Sequence, residues 1–130
     1  MGASDGNKKL NVYIDICEYK NVTVPRLSMA DTPEKKVKKK VVELLKVYNA
    51  YYFYPVTGGF GASGVPDIVA CVEGQFLGIE VKADIKKRGP TALQEKNLRE
   101  IKATGGIALV IDAHNIDVLV QVLETIVNRD

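Results

Sequence analysis

One stretch, Gly64 to Lys82 (GVPDIVACVEGQFLGIEVK), constrains the fold more than any other part of the chain. Two β-branched, apolar runs flank Glu73-Gly74, a turn pair, and the remaining charges stand only at the outer ends. Asp67 opens the first run, and Glu80 and Lys82 close the second. A hairpin folded about that turn sets Cys71 opposite Phe76, Val69 opposite Gly78 and Asp67 opposite Glu80. Directly opposed residues share a face, with Cβ atoms roughly 4.5–5.5 Å apart, so two carboxylates are brought together. Alternation along the strand puts Lys82 on the face of Glu80 and Val81 on the other. Two acids and a lysine at the end of an apolar hairpin are a candidate metal site. Strand ends that merely reach solvent carry the same residue types, with Lys82 neutralising Glu80, so the hairpin alone leaves both readings open.

The flanking segments add polar residues on inward faces. Asp31-Thr32-Pro33-Glu34 predicts a helix start, with Thr32 as N-cap and proline in the first turn. At ~100° per residue, Val37, Val41, Leu44, Leu45 and Tyr48 form one apolar stripe. Glu34 falls within that stripe at its N-terminal end, whereas Glu43 falls on the opposite, wet side. Acids also favour a first helical turn through the dipole, which does not account for an inward direction. Residues 51–56 (YYFYPV) predict an aromatic strand, followed by a glycine-rich loop over 57–64. Gly59 to Gly64 matches G-x-G-x-x-G, but a dinucleotide site requires a helix directly after the glycines, and here a strand follows. Glycines beside the acids instead let a polymer backbone come close. Beyond the hairpin lies a basic loop over 84–89, then a helix from Pro90-Thr91 to Thr104-Gly105-Gly106. Gln94 shares the apolar side of that helix with Leu98 and Ile101. Ile107–Ile111 predicts a strand covered on both faces. Asn115 is placed to cap a last helix, whose stripe is Ile116, Leu119, Val122, Leu123, Ile126 and Val127. His114, the one histidine, sits in a polar turn and is given no role.

The element order is α-β-β-β-α-β-α, an α/β fold with a mixed central sheet flanked by helices. A chain of 130 residues, 46% apolar and 26% charged, suits one globular domain over residues 31–130. Residues 10–17 and 21–27 are β-rich around Tyr19-Lys20-Asn21, so 1–30 is expected to be an extension carrying a β-ribbon. No apolar run approaches the ~20 residues of a membrane span, and the first residues lack the apolar core of a signal peptide, so a cytoplasmic location is expected. Cys17 and Cys71 are too few for a metal framework; Cys71 reads as a small buried hydrophobe, and both are expected reduced. Net charge is only +2, but Lys35, Lys36, Lys38, Lys39 and Lys40 form one basic cluster and Lys86-Lys87-Arg88 another. Such local clusters suit phosphate binding, and a solvated helix face accounts for the first nearly as well.

A helix glutamate, then Gly-Val-Pro-Asp, then Ile-Glu-Val-Lys, then a glutamine in the next helix resembles the PD-(D/E)XK nuclease superfamily, and within it the VRR-NUC domains. Glu34 matches the first-helix acid, Pro66-Asp67 the PD element, Glu80-Val81-Lys82 the E-x-K element, and Gln94 the following glutamine. The likeness spans about residues 32–112, and its specificity lies in the joint order and gaps of short motifs. It implies a restriction-endonuclease-like core and a Mg²⁺- or Mn²⁺-dependent DNA endonuclease. Small stand-alone relatives of this kind resemble Holliday junction resolvases, which points to branched DNA, a homodimer, and a bacterial or phage-infected host cell. A two-fold dimer would place one site on each of two strands of a four-way junction.

On that resemblance Asp67, Glu80 and Glu34, with the backbone carbonyl of Val81, would hold the cation, since hard divalent ions take oxygen ligands. Zinc is disfavoured because no cysteine or histidine lies near the acids in sequence. Lys82 would stabilise developing charge or help position and deprotonate water, and Gln94 would orient Lys82 or the water. Lys86, Lys87, Arg88 and Lys38 would contact phosphates without reading sequence. The alternatives are a restriction-type or flap nuclease of the same superfamily, and a branched-DNA-binding subunit with a vestigial site.

Overall fold

A computed structural model of the protein describes residues 31–56 and 63–129. The expected N-terminal ribbon, Cys17 and most of the glycine-rich loop lie outside the described residues. The order α1 (Pro33–Val47), β1 (Tyr51–Phe53), β2 (Ile68–Val72), β3 (Gln75–Val81), α2 (Ala92–Ala103), β4 (Ile107–Ile111) and α3 (Ile116–Val127) is the α-β-β-β-α-β-α sequence expected.

Local signals act where they stand. Thr32 Oγ1 accepts the Lys35 N–H at 3.2 Å, satisfying one of the free donors of the first turn of α1. At the other end Asn49 takes a left-handed φ of 58°, so that its N–H reaches the Lys46 carbonyl and the Ala50 N–H reaches Leu45. That pair of bonds is a Schellman stop. β1 ends at Phe53, three residues before the aromatic run does, because Pro55 cannot donate to a ladder.

β2 and β3 pair antiparallel with Val69 opposite Gly78 and Cys71 opposite Phe76, the register expected from the turn. Glu73 and Gly74 both have positive φ, 48° and 80°, the primed turn whose twist matches a two-residue hairpin. β1 adds antiparallel to β2, and β4 adds parallel to β3, giving a four-stranded mixed sheet in the order β1-β2-β3-β4.

One face of the sheet carries Ile68, Ala70, Val72, Leu77, Ile79 and Val81 into a core shared with α1 and α3. Val37, Val41, Leu44, Leu45 and Tyr48 of α1 are all buried there, as are Leu119, Leu123 and Ile126 of α3. Among the described residues, α2 covers the other face. α2 lies close because Gly78 and Gly106 have no Cβ: one added at Gly78 would stand 2.6 Å from Ile101 Cδ1 and 3.0 Å from Pro66 Cγ. Two expectations are corrected on this face. Cys71 is half-buried rather than buried, because α2 does not reach across β2. β4 is half-buried over much of its length, because it is an edge strand. No helix among the described residues is long and apolar enough to cross a membrane.

Candidate active site

The β2–β3 ladder ends at Ile68 and Ile79, and the site is built just beyond that end. Continuing the register sets Val81 opposite Pro66, which has no N–H to offer the Val81 carbonyl. The Val81 N–H is taken by the neighbouring Asp67 side chain, its Oδ2 accepting at 2.8 Å. Pro66 is buried, so this bond fixes the direction of the Asp67 carboxylate toward Glu80.

Glu80 is 2% exposed. Its Oε1 accepts a hydrogen bond from Gln94 Nε2 at 3.0 Å. Its Oε2 is buried and receives no hydrogen bond from a donor group. Burial is the largest influence on this carboxyl; the neighbouring Asp67 adds to it by hydrogen bonding and charge, Lys82 opposes it, and Glu34 adds a smaller push. The net result holds the Glu80 pKa up at about 8. A buried carboxyl beside a second carboxyl keeps a proton at neutral pH unless a cation replaces it.

Gln94 is the hub. Its Oε1 accepts both the Lys82 ammonium and the Thr91 N–H, each at 2.9 Å, and two donors at one atom require that atom to be the oxygen. The amide nitrogen is thereby turned toward Glu80. Thr91 Oγ1 in return accepts the Gln94 N–H at 3.2 Å, completing a capping box at the start of α2. One residue thus closes a helix end and links Lys82 to Glu80. The pattern Thr91-x-x-Gln94 is itself a helix-start signature, and it predicts this cap from sequence.

Glu34 differs from expectation. It lines a groove with Lys82, Lys87, Arg88 and Thr91, but it is exposed rather than facing the core. Helical side chains lean toward the N-terminus, so a residue in the first turn projects past the end of the sheet. Among the described residues no three His, Cys, Asp or Glu side chains gather closely enough to hold an ion. Glu43, expected on the wet side, is buried, sharing a second groove with Val42, Lys38 and Tyr54. The helical wheel records one apolar stripe, whereas Tyr54, just past β1, stands against another side of α1. Lys38 is placed there too, its ammonium 4.5 Å from the centre of the Tyr54 ring, away from the groove of Lys82.

Lys86, Lys87 and Arg88 are exposed on a turn folded over Asp84, whose carbonyl accepts the N–H groups of Lys87 and Arg88. His114 is exposed, its Nε2 3.8 Å from Asp84 Oδ2. Asn115 is the N-cap residue of α3, as expected, but makes no side-chain cap bond: its side chain instead accepts the Asp112 N–H and donates to the Val110 carbonyl.

The donor set suits a hard divalent cation. Mg²⁺ commonly takes one or two carboxylates and completes its shell with water and phosphate oxygens. Asp67 and Glu80 provide two, and the buried Glu80 Oε2, which no donor reaches, is an oxygen in want of a positive neighbour. Comparison with protein-family models, with curated proteins and with solved structures finds no match.

Proposed function

We propose that this protein is a divalent-metal-dependent DNA endonuclease of the PD-(D/E)XK kind, similar to the VRR-NUC domains, acting on branched DNA such as four-way junctions. The observation that carries the reading is the chain Lys82–Gln94–Glu80, with Asp67 beside Glu80 and one buried carboxyl oxygen that no donor reaches.

Asp67 and Glu80, with the Val81 carbonyl, would hold Mg²⁺ or Mn²⁺, and Glu34 on the groove rim would act through water. When bound, such an ion polarises the scissile phosphate and lowers the pKa of a water molecule. Glu80 would have to be deprotonated to hold such an ion, so occupancy would depend on pH. Lys82 enters with its ammonium already aimed by Gln94, leaving donors to stabilise charge that develops on a phosphate oxygen. Lys87 and Arg88 hold flanking phosphates in the same groove, with Lys86 on the same turn and Lys38 on a separate surface. A two-fold homodimer inside the cell would match the symmetry of a junction.

The test is a cleavage panel of junction, flap, splayed-arm and linear DNA with Mg²⁺, Mn²⁺ or EDTA. Metal-dependent cutting that is greatest on the junction and lost in Asp67→Asn and Lys82→Ala is expected. Wild-type rates in either variant would overturn the assignment. Cutting of unbranched duplex at one sequence would identify the restriction-type alternative, and junction binding without cleavage the vestigial one.

A further inference from the structure

Asp112 follows the last residue of β4, is 3% exposed, and takes no part in the chain of contacts around Glu80. Its Oδ2 accepts the Ile85 N–H and its Oδ1 the His114 N–H, each at 2.8 Å. Burial by itself would push its carboxyl up, but these backbone donors more than offset it, and the group is held below the usual range as a carboxylate. Asn115 braces it, accepting the Asp112 N–H at 2.7 Å while donating to Val110 at 2.8 Å.

Ile85 lies between Asp84 and the three cations. The Lys86 N–H bonds to Asp84 Oδ1 at 3.0 Å, and those of Lys87 and Arg88 to the Asp84 carbonyl at 3.2 Å and 2.9 Å. The basic turn is therefore one rigid unit, and the Ile85–Asp112 bond ties it to the sheet. Lys82 N–H bonds to the Ile111 carbonyl at 2.9 Å, so the same strand end that carries Asp112 also abuts the E-x-K segment. A buried charge answered chiefly by backbone donors costs desolvation, and here its effect falls on the placement of Lys87 and Arg88 in the groove of Lys82.

We infer that Asp112 is a positioning residue for substrate: it docks the 84–88 turn so that Lys87 and Arg88 face the phosphates flanking the scissile bond. This rests on the nuclease reading. Asp112→Asn replaces one acceptor by a donor, so it cannot satisfy both N–H groups.

The experiment measures cleavage kinetics and DNA binding over a range of KCl, using a labelled four-way junction, for wild type, Asp112→Asn, the Lys87→Ala/Arg88→Ala pair, and all three changes together. Asp112→Asn is expected to raise KM by about 10-fold with kcat within about 2-fold, and to flatten the plot of log K against log salt by up to ~2, since each phosphate contact contributes ~0.9. In the background lacking both cations it is expected to have no further effect. Amide exchange at Ile85 is expected to quicken at least ~10-fold while Ile79 and Leu109 stay protected. Asn115→Ala, which loosens the same brace more gently, is expected to act in the same direction and serves if Asp112→Asn does not fold. An unaltered KM and salt slope, a loss confined to kcat, or additivity with the double variant would overturn the inference while leaving the nuclease reading intact. A wild-type protein that neither binds nor cuts DNA overturns both.

Discussion

Asp67 accepts the Val81 N–H at 2.8 Å, in the place where Pro66 ends the ladder between the two strands. A backbone duty and a candidate metal-binding duty thus fall on one carboxylate. Because Oδ2 is committed to Val81, the side chain has little freedom to turn away from Glu80.

Asp67→Asn separates these duties. The amide oxygen still accepts the Val81 N–H, so the melting temperature is expected to change by no more than ~4 °C, which corresponds to about 1 kcal/mol in a domain of this size. Divalent binding, followed by titration calorimetry, is expected to weaken sharply. Loss of the fold in this variant would contradict the role assigned to the bond.

The pH dependence of stability arises from Glu80. Its folded pKa of about 8 lies above its ordinary value of 4.5, so the folded state holds a proton that the unfolded chain releases first. Without metal, the contribution of Glu80 to stability is full below the unfolded value, falls as pH rises through the interval between the two, and levels off above about 8. Glu80→Gln is expected to remove that decline and to be the more stable form at about pH 8 to 9, read by thermal melts in EDTA. Divalent cation is expected to raise wild-type stability more at about pH 8 than at about pH 6 and to leave the variant unmoved. A wild-type profile that rises over this interval would count against the buried, protonated Glu80.

Gln94 has two separable functions. Gln94→Ala is expected to cost about 1 kcal/mol through the lost cap, and cleavage ~10–100-fold through the freed Lys82 ammonium. Gln94→Glu keeps the capping box but brings a third carboxylate to Asp67 and Glu80, so the cap is retained while the Glu80 pKa rises further. Melting curves and pH–rate profiles for both variants check this, and equal activity in the two would refute the link through Gln94.

α2 lies close to the sheet beside the site where Ile101 sits on Gly78 and Gly106. Gly78→Ala is expected to destabilise by ~1–3 kcal/mol through overpacking, and to lower activity by moving the helix that carries Gln94. Adding Ile101→Val should recover part of both. Denaturant unfolding of the two variants measures the recovery, and none would show that the close approach is not what the glycine serves.

Much of the hairpin and its open end was legible in the sequence because it depends on short-range chemistry. The Glu73-Gly74 turn and strict alternation set the register that brings Asp67 and Glu80 to one face, and Lys82 follows from a period of two. Gln94 was legible as an inward-facing residue because Leu98 and Ile101 mark that side of α2. Glu34 and Glu43 were misread together. A wheel gives an angle around α1 but not how far along it the sheet extends, nor that Tyr54 stands against its other side.

By itself the sequence determined the order of elements, the hairpin register and the residue types at its open end, all consequences of backbone geometry between neighbours. Only the tertiary structure decided that Gln94 joins Lys82 to Glu80, that Glu80 is dry enough to keep its proton, and that Asp112 holds the basic turn. Each depends on segments distant in the chain meeting at one strand end, where burial and the supply of donors are set by what packs alongside.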